Sequence, residues 1–266
     1  MGFFGLSSSK ARGLPGAPFS RGQVGFNVHG TYQFKIPYFA KSLTFQAWGA
    51  GGAAGSTKLT LDYAAPGTNT FITVNHALYG TVQITAGGGA GGQNQESWRY
   101  HRGHYNGSGG AGGTVSISGM AWETGDVYIN GQAGGDGVTA TPGSGGKSNI
   151  PFIITDRFNT QTNYTTTGGG PGWNTRGTLG QLGAYPGGGG GGWDYGDGGG
   201  KFSWDTGGGG CGGYYSKKFR AGLLHPTDVI TFTVGKGGLS SGDYPRSDGT
   251  GDGGSGADGG VIITWL

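Results

Sequence analysis

Residues 43–52 read LTFQAWGAGG and contain the pattern that decides the fold. Apolar Leu43, Phe45 and Ala47 alternate with polar residues, which is the period of a half-buried β-strand. The strand then runs directly into glycine. The same arrangement recurs at residues 82–89, 127–135 and 230–238, with Val82 and Ile84, Val127 and Ile129, and Ile230, Phe232 and Val234 as the apolar positions. No stretch shows the 3.6-residue apolar stripe of an amphipathic helix.

Glycine supplies 68 of the 266 residues, far above the roughly 7% of an average protein. Collagen is excluded because the glycines form irregular clusters, and disorder is disfavoured by the 7 Trp, 13 Tyr and 13 Phe. Three-residue-per-turn glycine helices lack Cβ atoms, so they can pack closely and exchange backbone hydrogen bonds. We therefore predict an all-β fold: an irregular β-sandwich scaffold with interleaved polyglycine II-type helices, long surface loops and essentially no α-helix.

Charge and cysteine content exclude several classes of protein. The net charge of +3 is small and scattered, so no nucleic-acid partner is expected. The one cysteine, Cys211, lies inside a glycine cluster and is predicted to be a small buried residue. No apolar run reaches the ~20 residues of a membrane span, and the first residues lack the pattern of a secretory signal. We expect synthesis in a cytoplasm and no membrane insertion.

Two regions are predicted from composition. Residues 1–30 include the basic, turn-rich stretch SSSKARGLPGAP at 7–18 and are interpreted as an extended arm that attaches the protein to a larger assembly. The alternative is a terminus without a partner. Residues 31–266 form the glycine-rich β/polyglycine domain with display loops.

Aromatic, polar segments without alternation interrupt the glycine clusters at 93–105, 149–176 and 193–205. We interpret them as surface loops, which bind more often than they pack. Aromatic faces stack on sugar rings, and Arg binds carboxylate or phosphate groups bidentately. The candidate receptor-binding residues are Trp98, Arg99, Tyr100, His101, Arg102, Tyr105, Trp193, Asp194, Tyr195, Lys201, Phe202 and Trp204. Equally, these aromatics could cap glycine helices or contact neighbouring subunits.

Five segments carry a resemblance to a known family: Trp48–Gly52, GGTVSISGMAWETGDVYINGQAGGDG at 112–137, Gly207–Tyr214, DVITFTVGKGG at 228–238 and GGSGADGGVIITW at 253–265. Over roughly residues 31–266 the chain resembles the glycine-rich domain of bacteriophage tail-fibre adhesins and related virion structural proteins. The resemblance implies a virion protein, made in the host cytoplasm and exposed on the particle. It also implies other virion proteins as partners of residues 1–30, and a host surface glycan or outer-surface protein as receptor. We expect a homo-oligomer or multi-copy assembly.

The resemblance leaves two further functions open. The first is a capsid decoration or other minor virion protein whose loops contact neighbouring subunits. The second and weaker is a polysaccharide depolymerase that would use Asp194, Asp197 and Asp205 as its carboxylates.

Motifs for other chemistry are weak. The G-x-G-x-x-G match at Gly107, Gly109 and Gly112 is expected by chance at this glycine content, and a strand follows it where a dinucleotide site needs a helix. His101 and His104 lack the further ligands of a structural zinc site. We predict no catalytic residue, no metal and no cofactor.

Overall fold

The computed structural model describes residues 22–38, 40–58, 63–93, 95–96, 104–138, 141–147, 150–155, 161–164, 168, 180–192, 194–196, 203–224, 229–240 and 253–266. Over these ranges the chain is all β, with one 3₁₀ turn at Ala221–Leu223 and no α-helix. The predicted fold class is confirmed. None of these residues forms a helix with the length and apolar character needed to cross a membrane.

The strands are short and are joined by glycine-rich segments. In chain order they are β1 Gly22–Phe26, β2 Gly30–Lys35, β3 Ser42–Trp48, β4 Thr57–Lys58, β5 Thr70–His76, β6 Gly80–Ala86, β7 Gln95–Glu96, β8 His104–Asn106, β9 Val115–Ser118, β10 Val127–Ile129, β11 Phe152–Thr155, β12 Gln161–Tyr164, β13 Asp194–Gly196, β14 Ser203–Asp205, β15 Tyr214–Arg220, β16 Val229–Val234 and β17 Gly260–Trp265.

Ten of these strands form a sandwich of two antiparallel five-stranded sheets, in the orders β1-β17-β3-β15-β10 and β2-β16-β5-β6-β9. Between the sheets lies an apolar core to which both contribute alternate residues, as the period-two pattern predicts. Phe45, Ile72, Phe232 and Ile263 are fully buried there.

The glycine segments form polyglycine helices that are hydrogen-bonded side by side. In residues 49–55, the N–H groups at every third position donate to carbonyls of one neighbour, residues 206–213, at 2.8–2.9 Å. The N–H groups between them donate in turn to residues 64–69 and 253–259. A neighbour that recurs every third residue is the signature of a three-residue-per-turn helix. The backbone groups of the lattice are thus paired between segments and not within them.

Residues 206–213 lie at the centre of this lattice, are buried throughout, and have six neighbouring segments. Their N–H groups donate to 87–93, 130–137 and 187–192, and their carbonyls accept from 49–55, 107–114 and 141–147. A Cβ atom placed on Gly210 would lie 2.0 Å from the carbonyl oxygen of Ala111, well inside contact distance. Glycine is therefore required here for close approach of the backbones.

Segments at the lattice surface carry side chains at every third position. Ser108, Ala111 and Thr114 are exposed, whereas the glycines at 107, 110 and 113 face inward and are buried. The segment 141–147 repeats this pattern. The glycine abundance is thus used as packing material, as the composition predicts.

The chain repeatedly leaves the sandwich along one glycine segment and returns along another. The outward and return segments are 49–55 with 64–69, 87–92 with 107–114, 130–137 with 141–147, 187–192 with 206–213, and 235–240 with 253–259. The sandwich therefore lies at one end of the lattice, and the connections between outward and return segments lie at the other, which we call the loop end.

The predicted boundary at residue 30 needs correction. Residues 22–26 form β1, which pairs with β17 from Gly22 opposite Trp265 to Phe26 opposite Val261. Since β17 begins beside the lattice, Gly22 lies at the end of the sandwich remote from the loop end. Residues 22–30 thus belong to the sandwich, and residues 1–21 of the predicted arm lie outside the described residues.

A second apolar cluster joins the sandwich to the hairpin of β11 and β12. It contains Trp48, Phe152, Tyr214 and Ile262, with Phe152 fully buried. The sequence prediction of a surface loop at 149–176 is therefore wrong at Phe152, whose ring packs 5.0 Å from that of Trp48.

A buried lysine fixes the connection between β9 and β10. The side chain of Lys217 on β15 has no exposed surface, and its Nζ donates to Glu123 at 2.9 Å and to Asp126 at 2.6 Å. Two carboxylates thus compensate the burial of one ammonium group.

Candidate binding surface at the loop end

The two loops predicted to bind a receptor meet in one small sheet. Strand β14 pairs antiparallel with β13 and parallel with β8, so the order is β13-β14-β8. Trp204 is the Cα partner of both Tyr195 and Tyr105. Three aromatic positions therefore form one row across the sheet.

The lattice holds the ends of this sheet. Strand β13 follows residues 187–192, β14 leads into 206–213, and β8 leads into 107–114. The central segment 206–213 is hydrogen-bonded to the other two. The N–H of Gly209 donates to the carbonyl of Gly190 at 2.9 Å, and the N–H of Gly110 donates to the carbonyl of Gly208 at 2.8 Å. Strands β8 and β14 thus run directly into packed backbone, which fixes their spacing.

Only part of the predicted site falls within the described residues. Tyr105, Asp194, Tyr195 and Trp204 lie on strands β8, β13 and β14, and the structure places them together. The remaining candidates lie outside the described residues: Trp98, Arg99, Tyr100, His101, Arg102, Trp193, Lys201 and Phe202.

Sequence reasoning missed two other contributors to the loop end. Strand β4 pairs parallel with β7, and Tyr63 forms a bridge with Gln93, so the connection 56–63 lies beside the loop 93–105. Val138 closes a tight turn with Thr141 at the same end. The side chains of Tyr63 and Val138 are 60% and 53% exposed. Their place in the sequence could have identified them, because each of these connections lies between an outward and a return glycine segment.

The carboxylates proposed for a depolymerase do not form an exposed pair. Asp194 and Asp205 are Cα partners across the β13–β14 hairpin, but Asp205 has no exposed surface. Its carbonyl accepts the N–H of Gly107 at 2.7 Å, which ties β14 to the segment that follows β8. Asp197 lies outside the described residues. Asp205 is therefore not placed to meet a polysaccharide in solvent.

We next consider metal binding and thiol chemistry in the described part of the chain. It contains no group of three or more His, Cys, Asp or Glu side chains that could hold an ion; His101 lies outside it. Cys211 is fully buried in the central segment, as predicted, and its Sγ lies 3.1 Å from the carbonyl oxygen of Gly212. Burial raises the pKa of this thiol to about 12, so it stays protonated and unreactive at neutral pH.

A scan against protein-family models gives no match to this chain, and a search of curated proteins likewise gives none.

Proposed function

We propose that the protein is a bacteriophage virion structural protein of the tail-fibre or adhesin type, which binds the host surface through its loop end. The observation that carries the proposal is the polarity of the fold. The predicted recognition loops converge at one end, in the row of Tyr195, Trp204 and Tyr105. Gly22, where the described chain begins, lies at the opposite end. This arrangement suits a protein that is attached at one end and displays the other.

The chemistry of the loops favours a glycan-containing receptor. Residues 93–105 carry Glu96, Arg99 and Arg102, whereas residues 193–205 carry Asp194, Asp197 and Lys201 besides the buried Asp205. Opposite charges thus nearly balance, which disfavours a polyanion as the ligand. Aromatic faces offer large contact areas at a low cost in conformational entropy, and the mixed polar groups suit hydroxyls. Binding without turnover is part of the proposal.

The proposal is tested with the full-length protein on immobilised bacterial surface polysaccharides and on envelope preparations. We expect Trp204→Ala and Tyr105→Ala each to weaken binding about 5- to 30-fold, from the loss of about 1–2 kcal/mol of aromatic contact. Trp204→Phe keeps a ring and retains most of the binding. The matched control is Tyr128→Ala, since Tyr128 is an exposed tyrosine on β10 of the sandwich.

The location of the protein in an intact particle separates the adhesin from the decoration alternative. A few copies at a fibre or tail tip agree with the proposal. Many copies on the shell, together with loop variants that bind as well as the wild type, would refute it in favour of inter-subunit contacts.

A further inference from the structure

We propose that the sandwich end opposite the loops is a docking surface for an acidic protein partner that also presents apolar side chains. We call this surface the base and define it by five exposed residues: Tyr38, Leu78, Tyr79, Val229 and Leu266. This inference rests on the proposed function, because the partner is taken to be another protein of the same virion.

The strand pairing brings the segments of the base together. Val229 at the start of β16 is the partner of Lys35 at the end of β2, and Tyr38 follows in the connection to β3. The N–H of Leu266 donates to the carbonyl of Ser42, the first residue of β3. The turn that holds Leu78 and Tyr79 is fixed by Ala77, whose N–H donates to the carbonyl of Leu223 at 2.8 Å.

The exposure of these side chains is high for large apolar groups. Tyr38 is 92% exposed and Leu78 is 72% exposed. Tyr79 is half exposed although its ring packs 4.8 Å from that of His76, which holds it in place. Isolated apolar residues on a surface need no explanation, whereas a contiguous apolar patch marks an interaction site. The pairing described above brings the segments of these five residues to one end of the sandwich.

On strands β2 and β15, the exposed charged side chains at this end are basic. Lys35, Lys218 and Arg220 are exposed at or beside it, on β2 and β15. In the described part of the chain, Glu123 and Asp126 are bound to Lys217, the neighbour of Lys218 on β15, and the other acidic residues lie in the lattice or at the loop end: Glu96, Asp136, Asp194, Asp205 and Asp258. These exposed cations favour a partner that supplies carboxylates.

Charge also decides between the possible occupants of the base. Residues 1–21 contain Lys10, Arg12 and Arg21 and no acidic residue, so placing them on the base would bring like charges together. A second copy docked base to base would do the same. The base instead complements an acidic surface.

The test places a photo-crosslinking p-benzoylphenylalanine at position 38 of the full chain, in cells that produce the whole assembly. The control places it at position 128, another exposed tyrosine, away from the base. We expect position 38 to crosslink to a different protein, within a segment rich in Asp and Glu, and position 128 to give at least about tenfold less of this product. Reversing two charges with Lys35→Glu and Arg220→Glu should lower the yield from position 38 about tenfold.

Other outcomes overturn the inference. A crosslink from position 38 to residues 1–21, a crosslink to a second copy, or no crosslink at all each removes the proposed partner. A yield that is unchanged by the charge reversals removes its acidic character. Polysaccharide binding by the loop end is measured separately on the purified protein, so failure of the base and failure of the adhesin proposal are distinguishable.

Discussion

The substitution Gly210→Ala tests whether the lattice depends on close backbone approach. The added Cβ would lie 2.0 Å from the carbonyl oxygen of Ala111 and 2.8 Å from that of Gly110, where ordinary contacts begin at 3.4 Å. The two segments must therefore separate by more than about 1 Å. Gly210 also donates to Ala90 and accepts from Gly52, both at 2.9 Å, so the shift strains hydrogen bonds to two further segments.

The expected loss of stability follows from these contacts. Overpacking a tight interior costs about 1–3 kcal/mol, and each of the two strained backbone hydrogen bonds contributes about 1 kcal/mol. Reduced entropy of the unfolded chain returns about 0.4–1 kcal/mol. The net destabilisation is about 3 kcal/mol, which corresponds to a decrease in Tm of about 6–12 °C for a chain of this size.

Two controls separate this effect from a general response to alanine or to lattice substitution. Gly222→Ala adds the same methyl group where no atom lies within 4 Å, and Ala111→Ser changes an exposed position of a neighbouring segment. Both are expected to change the free energy of unfolding by no more than about 0.5–1 kcal/mol. Thermal unfolding is followed by calorimetry and urea unfolding by fluorescence. If Gly210→Ala unfolds at the same temperature as Gly222→Ala, the close-packing argument is refuted.

Two further perturbations follow from buried groups. Lys217→Met leaves Asp126 without its cation and should lower the free energy of unfolding in urea by about 3–5 kcal/mol, whereas exposed Lys218→Met should change it by no more than about 0.5 kcal/mol; equal effects would contradict the buried ion pair. The folded-state pKa of Cys211 is raised from its ordinary value near 9 to about 12, so its contribution to stability is complete below pH 9 and is lost as the pH rises towards 12. Cys211→Ala should remove the part of the loss of stability between pH 9 and 12 that this thiol causes. A disulfide reagent at pH 8 should modify Cys211 only on unfolding, and rapid labelling of the folded protein would contradict its burial.

The sequence was sufficient to predict the kinds of element but not their arrangement. The alternation in β3 and β16 identified buried positions such as Phe45 and Phe232, because period two is a local property. It missed β1, whose sequence GQVGF contains two glycines and whose place in the sheet comes from pairing with β17. Phe152 was missed for a similar reason: its burial depends on Trp48, about a hundred residues away in the chain.

The candidate site was predictable in composition and not in geometry. The aromatic loops at 93–105 and 193–205 could be recognised, but nothing local indicates that Trp204 is paired with Tyr105. That pairing depends on which glycine segments are neighbours, and glycine runs of similar composition do not specify neighbours. The exposed period-three positions such as Ser108 and Thr114 carry this information in part, because side chains are tolerated only where a segment faces solvent.

The depth of a glycine segment in the lattice also bears on recognition. Residues 187–192 are all glycine and wholly buried, and 206–213 are buried with six neighbours. The connection between these two segments contains Tyr195 and Trp204. Under the proposed function, strands that are anchored in buried backbone, as β13 and β14 are, have little freedom to lose on binding a ligand. Hydrogen bonds between segments offset, during folding, the conformational entropy that the many glycines lose. A lattice that tolerates no side chains at its centre is thus suited to presenting aromatic residues at its end.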